Sequence, residues 1–328
     1  MNKTYTESFQ VRATDCDFER RMRLDALFIA MQEGGEHHAL SLGAGYDQMM
    51  ARGLFFALAR IHVSTFRAPR QNETVVHTTW PGEMNRFFCP RYHVFTLQDG
   101  TPLAAAGALW VMLDTKQRRI VSPQKVDLGF PDNSDLTAPI SLPTRMPALK
   151  GEAPQVFSRA PQYSDFDVNG HVNNTKYIAW LCDALGFDAL RGAYIGDLVA
   201  GYEKEIRGHD PLRVTLARND DAFSFQIASD AGEKHFVFLG LRRALFDVGV
   251  RTLRQRDDAL EAAVVCIARR VVQRGGVNLD NGASGHEERF DLRRIVLAVF
   301  DVLLRADEQD EVGDGDVYFT IAVIFETV

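Results

Sequence analysis

Two stretches of this 328-residue chain carry the same pattern, and that internal repeat limits the fold more than any other feature. Residues 14–33 laid over 164–183 without a gap align Asp15 with Asp165 and Asp17 with Asp167. The same overlay matches two apolar helix faces. Leu24, Leu27, Phe28 and Met31 recur at i, i+3, i+4 and i+7, and Tyr177, Leu181, Ala184 and Leu185 keep helical spacing in the second copy. The predicted unit is a polar turn feeding an amphipathic helix, used twice. The copies differ in one respect: Glu19 and Arg21 stand where the second has Asn169 and His171. One copy is expected to be structural and the other chemical.

Strand and helix signals place this unit in a larger repeated plan. Residues 5–13 read as a strand, 14–23 as a turn and 24–40 as a helix that ends at the glycines of 41–45. Segment 51–66 turns from loop into strand. Segments 73–80, 86–97 and 103–114 are rich in β-branched and aromatic residues, with Asp99-Gly100 marking a hairpin. Half of the chain's 12 prolines follow, at Pro123, Pro131, Pro139, Pro143, Pro147 and Pro154, and predict an extended linker over 122–154. The order then repeats: a strand at 155–163, a helix at 172–190, and strands at 197–206, 212–218, 222–229 and 234–242. A helix followed by consecutive antiparallel strands is an α+β unit with the helix packed on one sheet face. A long helix wrapped by an antiparallel sheet, twice over, is a tandem (double) hotdog. The expected layout is an N-terminal hotdog at 1–121, the linker, a C-terminal hotdog at 155–243, and an extension at 244–328 of unknown fold.

Asp167, Asn169 and His171 lie at i, i+2 and i+4, directly before a helix start. Backbone N–H groups and the positive end of a helix dipole beside an imidazole and a carboxamide can bind a carbonyl oxygen as negative charge develops on it. Two plainer readings compete. Asp, Asn and Gly are common turn and cap residues. Asp165, Asp167, Asn169 and Gly170 also match the front half of a calcium loop, but its twelfth position is Lys176 where a bidentate Glu is required. His37-His38 is a poor metal pair, since adjacent helical side chains diverge by about 100°.

The net charge of −7 argues against a nucleic-acid partner, which needs a concentrated basic face. The N-terminal segment has no apolar core of the signal-peptide kind, and no run approaches membrane-spanning length, so no membrane insertion is expected. Cys16, Cys89, Cys182 and Cys266 form no CxxC and read as reduced, buried thiols of a cytoplasmic protein.

The pattern D-x-N-x-H-V-N-N-x-K-Y at 167–177, the upstream ALWVMLDTKQRRIVSP and the helix LDALFIAMQEGGEHHALSLG resemble plant-type and bacterial acyl-ACP thioesterases over about residues 5–243. The resemblance implies hydrolysis of the thioester joining a fatty acyl chain to acyl carrier protein, with neither metal nor cofactor. It implies that Asp167, Asn169 and His171 are catalytic, and that an acidic residue follows on the next strand. Alternation along the expected strand 197–206 would put Glu203 and Glu205 on one face, about 7 Å apart. The resemblance favours Glu205. Many plant members carry a Cys directly after that Glu. Here the position is Ile206, which leaves direct attack by water.

The chemistry expected of these residues follows. His171 or Glu205 takes the water's proton, Asn169 orients the water or the carbonyl, and Asp167 fixes the His171 tautomer or holds the helix start. The helix N–H groups supply part of an oxyanion hole. Met31, Phe55, Phe56 and Trp110, with Leu27, are candidates for an acyl slot, with ordinary core packing as the alternative. Acyl carrier protein is acidic. Arg20, Arg21 and Arg23, or Arg86 and Arg91, are candidates to dock it, with solvated surface charge as the alternative. Beyond 243 the pattern predicts helices at 258–274 and 290–304, a Gly/Asn-rich connector at 275–285, an acidic loop at 307–316 and a strand at 317–325. Capping of the second hotdog, self-association as a homodimer and a small α+β module are the roles open to that extension. Two other activities stay open: hydrolysis of acyl-CoA, and acyl binding without turnover.

Overall fold

The alternating and helical patterns above fold, in the computed structural model, into two copies of one plan; residues 2–145, 152–219 and 221–244 are described. The first copy runs β1 (Tyr5–Gln10), α1 (Leu24–Ser41), α2 (Tyr46–Ala51), β2 (Leu54–Thr65), β3 (Thr74–Pro81), β4 (Cys89–Leu97), β5 (Pro102–Asp114) and β6 (Ile120–Val121). The second runs β7 (Glu152–Arg159), α3 (Asn174–Leu190), β8 (Ala193–Tyr202), β9 (Leu212–Asn219), β10 (Ala222–Ala228) and β11 (Lys234–Ala244). This is the α+β tandem expected from the repeat. The expected elements of the extension, from 258–274 to 317–325, lie outside the described residues, as does Cys266.

All the described strands join one antiparallel sheet in the order β1-β3-β4-β5-β2-β8-β11-β10-β9-β7, with β6 on β5. The order β1-β3-β4-β5-β2 is matched, reading inward from the other edge, by β7-β9-β10-β11-β8. The halves meet where β2 pairs with β8, from Arg60↔Gly201 to Ser64↔Asp197. Ile61 and Val63 of β2 point to the helix side and are 3% and 1% exposed, in one core with Leu27, Phe28 and Met31 of α1 and Ile178, Leu181 and Leu185 of α3. Burying a side chain of this size stabilises by about 1.5–3 kcal/mol. One shared core explains why the two copies behave as a single compact unit.

Each helix starts differently. The Asn173 side chain accepts the Thr175 N–H at 2.9 Å and caps α3, whereas Arg23 offers α1 no side-chain cap. Inside α1, Gly34 is required by close approach. A Cβ there would lie 2.5 Å from the His77 ring.

Three differences from the sequence reading have physical causes. The six-residue α2 is too short for a periodic signal, and β6 is a two-residue pairing. The strand expected at 197–206 is β8 at Ala193–Tyr202. It starts directly after Gly192, whose φ of +62° turns the chain out of α3, and it ends where pairing with β11 ends at Phe236↔Tyr202. Glu203 and Glu205 therefore lie past the strand, and strand alternation does not relate them. The described part of the proline-rich linker is docked along the sheet. The His62 ring bonds Ser141 O at 3.0 Å, Asn133 donates to Pro81 O at 2.8 Å, and Ile140 and Leu142 lie against Gly107.

The two polar turns superimpose bond for bond. Both open with a 3-10 turn, Ala13–Asp15 and Tyr163–Asp165, and both close with a bridge, Cys16↔Met22 and Phe166↔Val172. Asp17 N–H donates to Arg21 O, as Asp167 N–H does to His171 O. Arg20 and Gly170 share the left-handed backbone, at φ 61° and 71°. In the second turn Asp165 is spent inside, accepting the Gln162 N–H and the Trp180 indole N–H, so it offers nothing to a calcium ion.

In the first turn Arg21 is 2% exposed and donates to Ala193 O at 2.7 Å, Leu190 O at 2.9 Å and Asp17 at 2.9 Å, with Glu19 at 2.8 Å. It ties the first copy to the α3–β8 connection. Arg91 is buried too, donating to Thr79 and facing His38. Neither can reach a docking partner, which corrects that expectation for both. Arg20 and Arg86 are exposed, and Arg23 is half-buried. His37 and His38 diverge as predicted, toward Glu7 and toward Asn2 O.

Two stability outcomes follow. Arg21→Ala takes the buried guanidinium away from two carbonyls and from the Asp17 and Glu19 carboxylates, and the expected cost is about 3–5 kcal/mol, read as a lower urea midpoint. Behind α1, His77 and His93 share a hydrogen bond of 3.0 Å, with Glu7 of β1 and Arg91 of β4 nearby. Burial pushes His77 down to about 4, against the pull of Glu7, and pushes His93 well below its ordinary range. The unfolded rings titrate near 6.5. Stability is therefore full above pH 6.5 and falls as the pH drops toward 4, because the unfolded chain takes up protons that the folded one refuses. For His77 alone the loss is about 3 kcal/mol. Urea midpoints that stay flat across that interval would contradict the buried neutral pair.

Candidate active site

The second turn folds back on itself so that three side chains leave it together. Gly170 N–H donates to Asp167 O at 3.0 Å, a closure that requires the φ of +71° at Gly170. Asn169 N–H donates to Asp167 Oδ1 at 2.8 Å. Asp167 Oδ2 is left facing the His171 ring, 3.6 Å from Nδ1. Val172 N–H donates to Ile206 O at 2.9 Å and fixes the turn against the segment that carries Glu205. On the far side of the ring, Glu205 Oε2 lies 3.8 Å from His171 Nε2. Both separations exceed a direct hydrogen bond and are charge contacts; a water touching both partners has to sit beside the pair, not between its atoms.

The structure thus brings Asp167, Asn169, His171 and Glu205 to one place, with the imidazole between two carboxylates. Burial pulls the Glu205 carboxyl up, but hydrogen bonds and charge from Arg207 and Arg118 outweigh it and hold the group down at about 2. Arg207 Nε is 2.7 Å from Glu205 Oε1, and Arg118 Nη2 reaches both carboxylate oxygens at 2.5 and 2.7 Å. A carboxylate so held stays ionised across the working pH range. It is a weak base and a strong electrostatic partner for an imidazolium.

Two contacts come from the first copy. Arg118 sits in the β5–β6 turn, over the Phe55 ring at 4.9 Å. Tyr46, at the start of α2, donates its hydroxyl to Asn169 Oδ1 at 2.7 Å. Tyr46, Arg118 and Arg207 join the site without a local sequence signal: Arg118 lies within ALWVMLDTKQRRIVSP but nothing around it marks the long-range contact.

The expected helix N–H contribution is largely engaged elsewhere: Thr175 N–H goes to the Asn173 side chain and Lys176 N–H to Asn173 O. Of the acyl-slot candidates, Phe55 lies beside Arg118, and Phe56 and Trp110 pack against a small second cluster with Met49, Cys89 and Met112. Met31 is 4% exposed in the main core. A cavity of 340 Å³ opens at the first turn, lined by Asp17, Arg21, Leu24, Leu27, Cys182 and Phe187 among others, and by none of those four. The Cys182 thiol is pushed up to about 12 by burial, which makes it a poor nucleophile.

Comparison with known proteins shows what the chain is similar to. The profile of the acyl-ACP thioesterase N-terminal domain matches residues 2–125, and that of the acyl-ACP thioesterase C-terminal domain matches residues 151–237. A chloroplastic acyl-[acyl-carrier-protein] hydrolase of Cuphea viscosissima is 26% identical over 226 residues, 65% of this chain and 55% of that protein. The dodecanoyl-[acyl-carrier-protein] hydrolase of Cinnamomum camphora is 27% identical over 216 residues, covering 61% of this chain and 56% of that one. The chain thus spans about half the length of the curated relatives it matches. Among solved structures, an acyl-ACP thioesterase from Bacteroides thetaiotaomicron superimposes with a TM-score of 0.67 at 21% identity, over 74% of this chain and 98% of that one. The 12:0-ACP thioesterase from Umbellularia californica gives 0.64 at 22%, over 74% and 98%. These two likenesses speak for the fold. With both domain profiles matched in order across more than half of its length, the chain belongs to the acyl-ACP thioesterase family.

Proposed function

We propose that this protein hydrolyses the thioester of a fatty acyl-acyl carrier protein, releasing the free fatty acid, by direct attack of water. The observation that carries the reading is His171 held between the carboxylates of Asp167 and Glu205 with Asn169 beside it, in a chain of this family. A water lying beside the pair, in reach of both His171 Nε2 and Glu205 Oε2, gives its proton to the imidazole as its oxygen attacks the thioester carbonyl carbon. Glu205 accepts the water's second hydrogen and orients it. Asp167 Oδ2 faces the Nδ1 side of the ring at 3.6 Å and stabilises the imidazolium by its charge. The Asn169 amide N–H donates to the carbonyl oxygen as it becomes an oxyanion. Collapse of the tetrahedral intermediate breaks the C–S bond, and the departing pantetheine thiolate takes the proton back from His171.

Ile206 stands where a covalent mechanism would need a thiol, and Cys182 is a half-buried thiol on α3 whose titration is pushed up to about 12. On this reading residues 155–243 do the chemistry and residues 1–121 hold the acyl chain, with Met31, Phe55, Phe56 and Trp110 as its candidate contacts. Arg20, Arg23 and Arg86 are the basic side chains, of those considered, with solvent exposure for an acidic carrier protein. No helix among the described residues is long and apolar enough to cross a membrane. We assign the reaction to the cytoplasm, where a diffusing carrier protein delivers the acyl group.

Thiol release from a panel of acyl-ACPs, with acyl-CoAs alongside, tests the proposal. His171→Ala is expected to lower kcat by about 10²–10⁴-fold, the usual contribution of a general base, with an unchanged denaturation midpoint. Cys182→Ala is expected to keep turnover. Near wild-type rates in His171→Ala, or a preference for acyl-CoA over acyl-ACP, would overturn the reading.

A further inference from the structure

The first copy lacks the catalytic constellation, yet it reaches into the second at two points. Tyr46 starts α2, where its backbone N–H is held by Glu36 Oε1 of α1 at 2.7 Å. Its hydroxyl crosses to Asn169 Oδ1. An amide whose oxygen is occupied presents its NH₂ outward, the orientation that a developing oxyanion needs. Without that bond, the exposed Asn169 side chain has no contact that distinguishes its two ends.

Arg118 is held more firmly still. Asp114 Oδ1 accepts Lys116 and Gln117 N–H at 2.8 and 2.6 Å, and Arg118 N–H closes the turn onto Asp114 O at 2.9 Å. The turn sets Arg118 at φ 55°, a left-handed backbone that a non-glycine residue adopts at a cost. Glycine would relieve the strain, but it could not cover the Phe55 ring or bind both oxygens of Glu205. Strain kept at a residue that touches a candidate site is a pointer to function.

We propose that Tyr46 and Arg118 are positioning residues supplied by the first copy, Tyr46 fixing the amide orientation of Asn169 and Arg118 fixing the ionised carboxylate of Glu205 beside His171. The inference rests on the reaction proposed above, because it gives the two contacts their purpose. Arg207, on the second copy's own segment, binds only Glu205 Oε1. Arg118 Nη2 is therefore the cationic donor in reach of both carboxylate oxygens, and it anchors the Oε2 side that faces His171. The first copy is thus half of the site's support, though none of its reacting groups.

The test uses the full chain and two kinds of readout. Tyr46→Phe is expected to lower kcat on acyl-ACP about tenfold, the rate equivalent of one aligned hydrogen bond, with KM little changed. In an Asn169→Ala background the same substitution is expected to cost nothing further, since residues that act as a unit are not additive. Arg118→Gln is expected to raise the Glu205 carboxyl titration, followed by carbon-13 NMR, and to lower kcat about tenfold, with Arg118→Lys restoring part of both. The NMR readouts, Glu205 titration and the Asn169 side-chain amide resonances, do not depend on turnover. A wild-type protein inert on acyl-ACP that still shows both NMR changes would sink the reaction and leave the positioning intact. Additive loss in Tyr46→Phe with Asn169→Ala, or a Glu205 titration unmoved by Arg118→Gln, would overturn the positioning itself.

Discussion

Where β2 meets β8, five backbone pairs turn two half-sheets into one and bring α1 and α3 onto the same face. The apolar stripes of the two helices then share one core. The seam also sets the register between the copies, so it decides which first-copy side chains can touch the second turn. Tyr46 and Arg118 both belong to segments flanking β2 or its partner β5, and their reach to Asn169 and Glu205 is a consequence of the seam's alignment. Fold and site therefore share one geometric origin.

Much of this was legible in the residues. Helical spacing at Leu24, Leu27, Phe28 and Met31 marked α1, the hairpin at Asp99-Gly100 fell between β4 and β5, and the gapless overlay of the two turns anticipated matching hydrogen bonds. Those features are local or periodic. The illegible features depend on long-range contact. The position of β8 was set by Gly192 and by where β11 stops pairing, so Glu205 left the strand. The burial of Arg21 and Arg91 was decided by carbonyls and histidines distant in sequence, and an arginine in a polar turn gives no warning of it.

The two turns show how one backbone serves two ends. At Asp167 the carboxylate spends one oxygen on the turn and keeps the other for an imidazole. At Asp17 the same two oxygens serve the turn and a buried guanidinium. Replacing His by Arg lengthens the side chain enough to reach Leu190 O and Ala193 O, and the space that would hold a reacting group is filled by a tether. The neighbouring apolar cavity of 340 Å³ survives beside it.

That tether also has a place in the order of folding. Arg21 and its carbonyl partners are separated by 169 and 172 residues, and the β2–β8 pairs, such as Arg60↔Gly201, also join residues more than a hundred positions apart. Contacts of that sequence separation close late, after their loop entropy has been met. During synthesis the first copy therefore stands alone with one long strand edge unpaired, the arrangement most prone to edge-to-edge aggregation. In that interval Asp17, Glu19 and Arg21 have not yet been desolvated. They keep the first turn hydrated until Leu190, Gly192 and Ala193 of the second copy arrive to bond them.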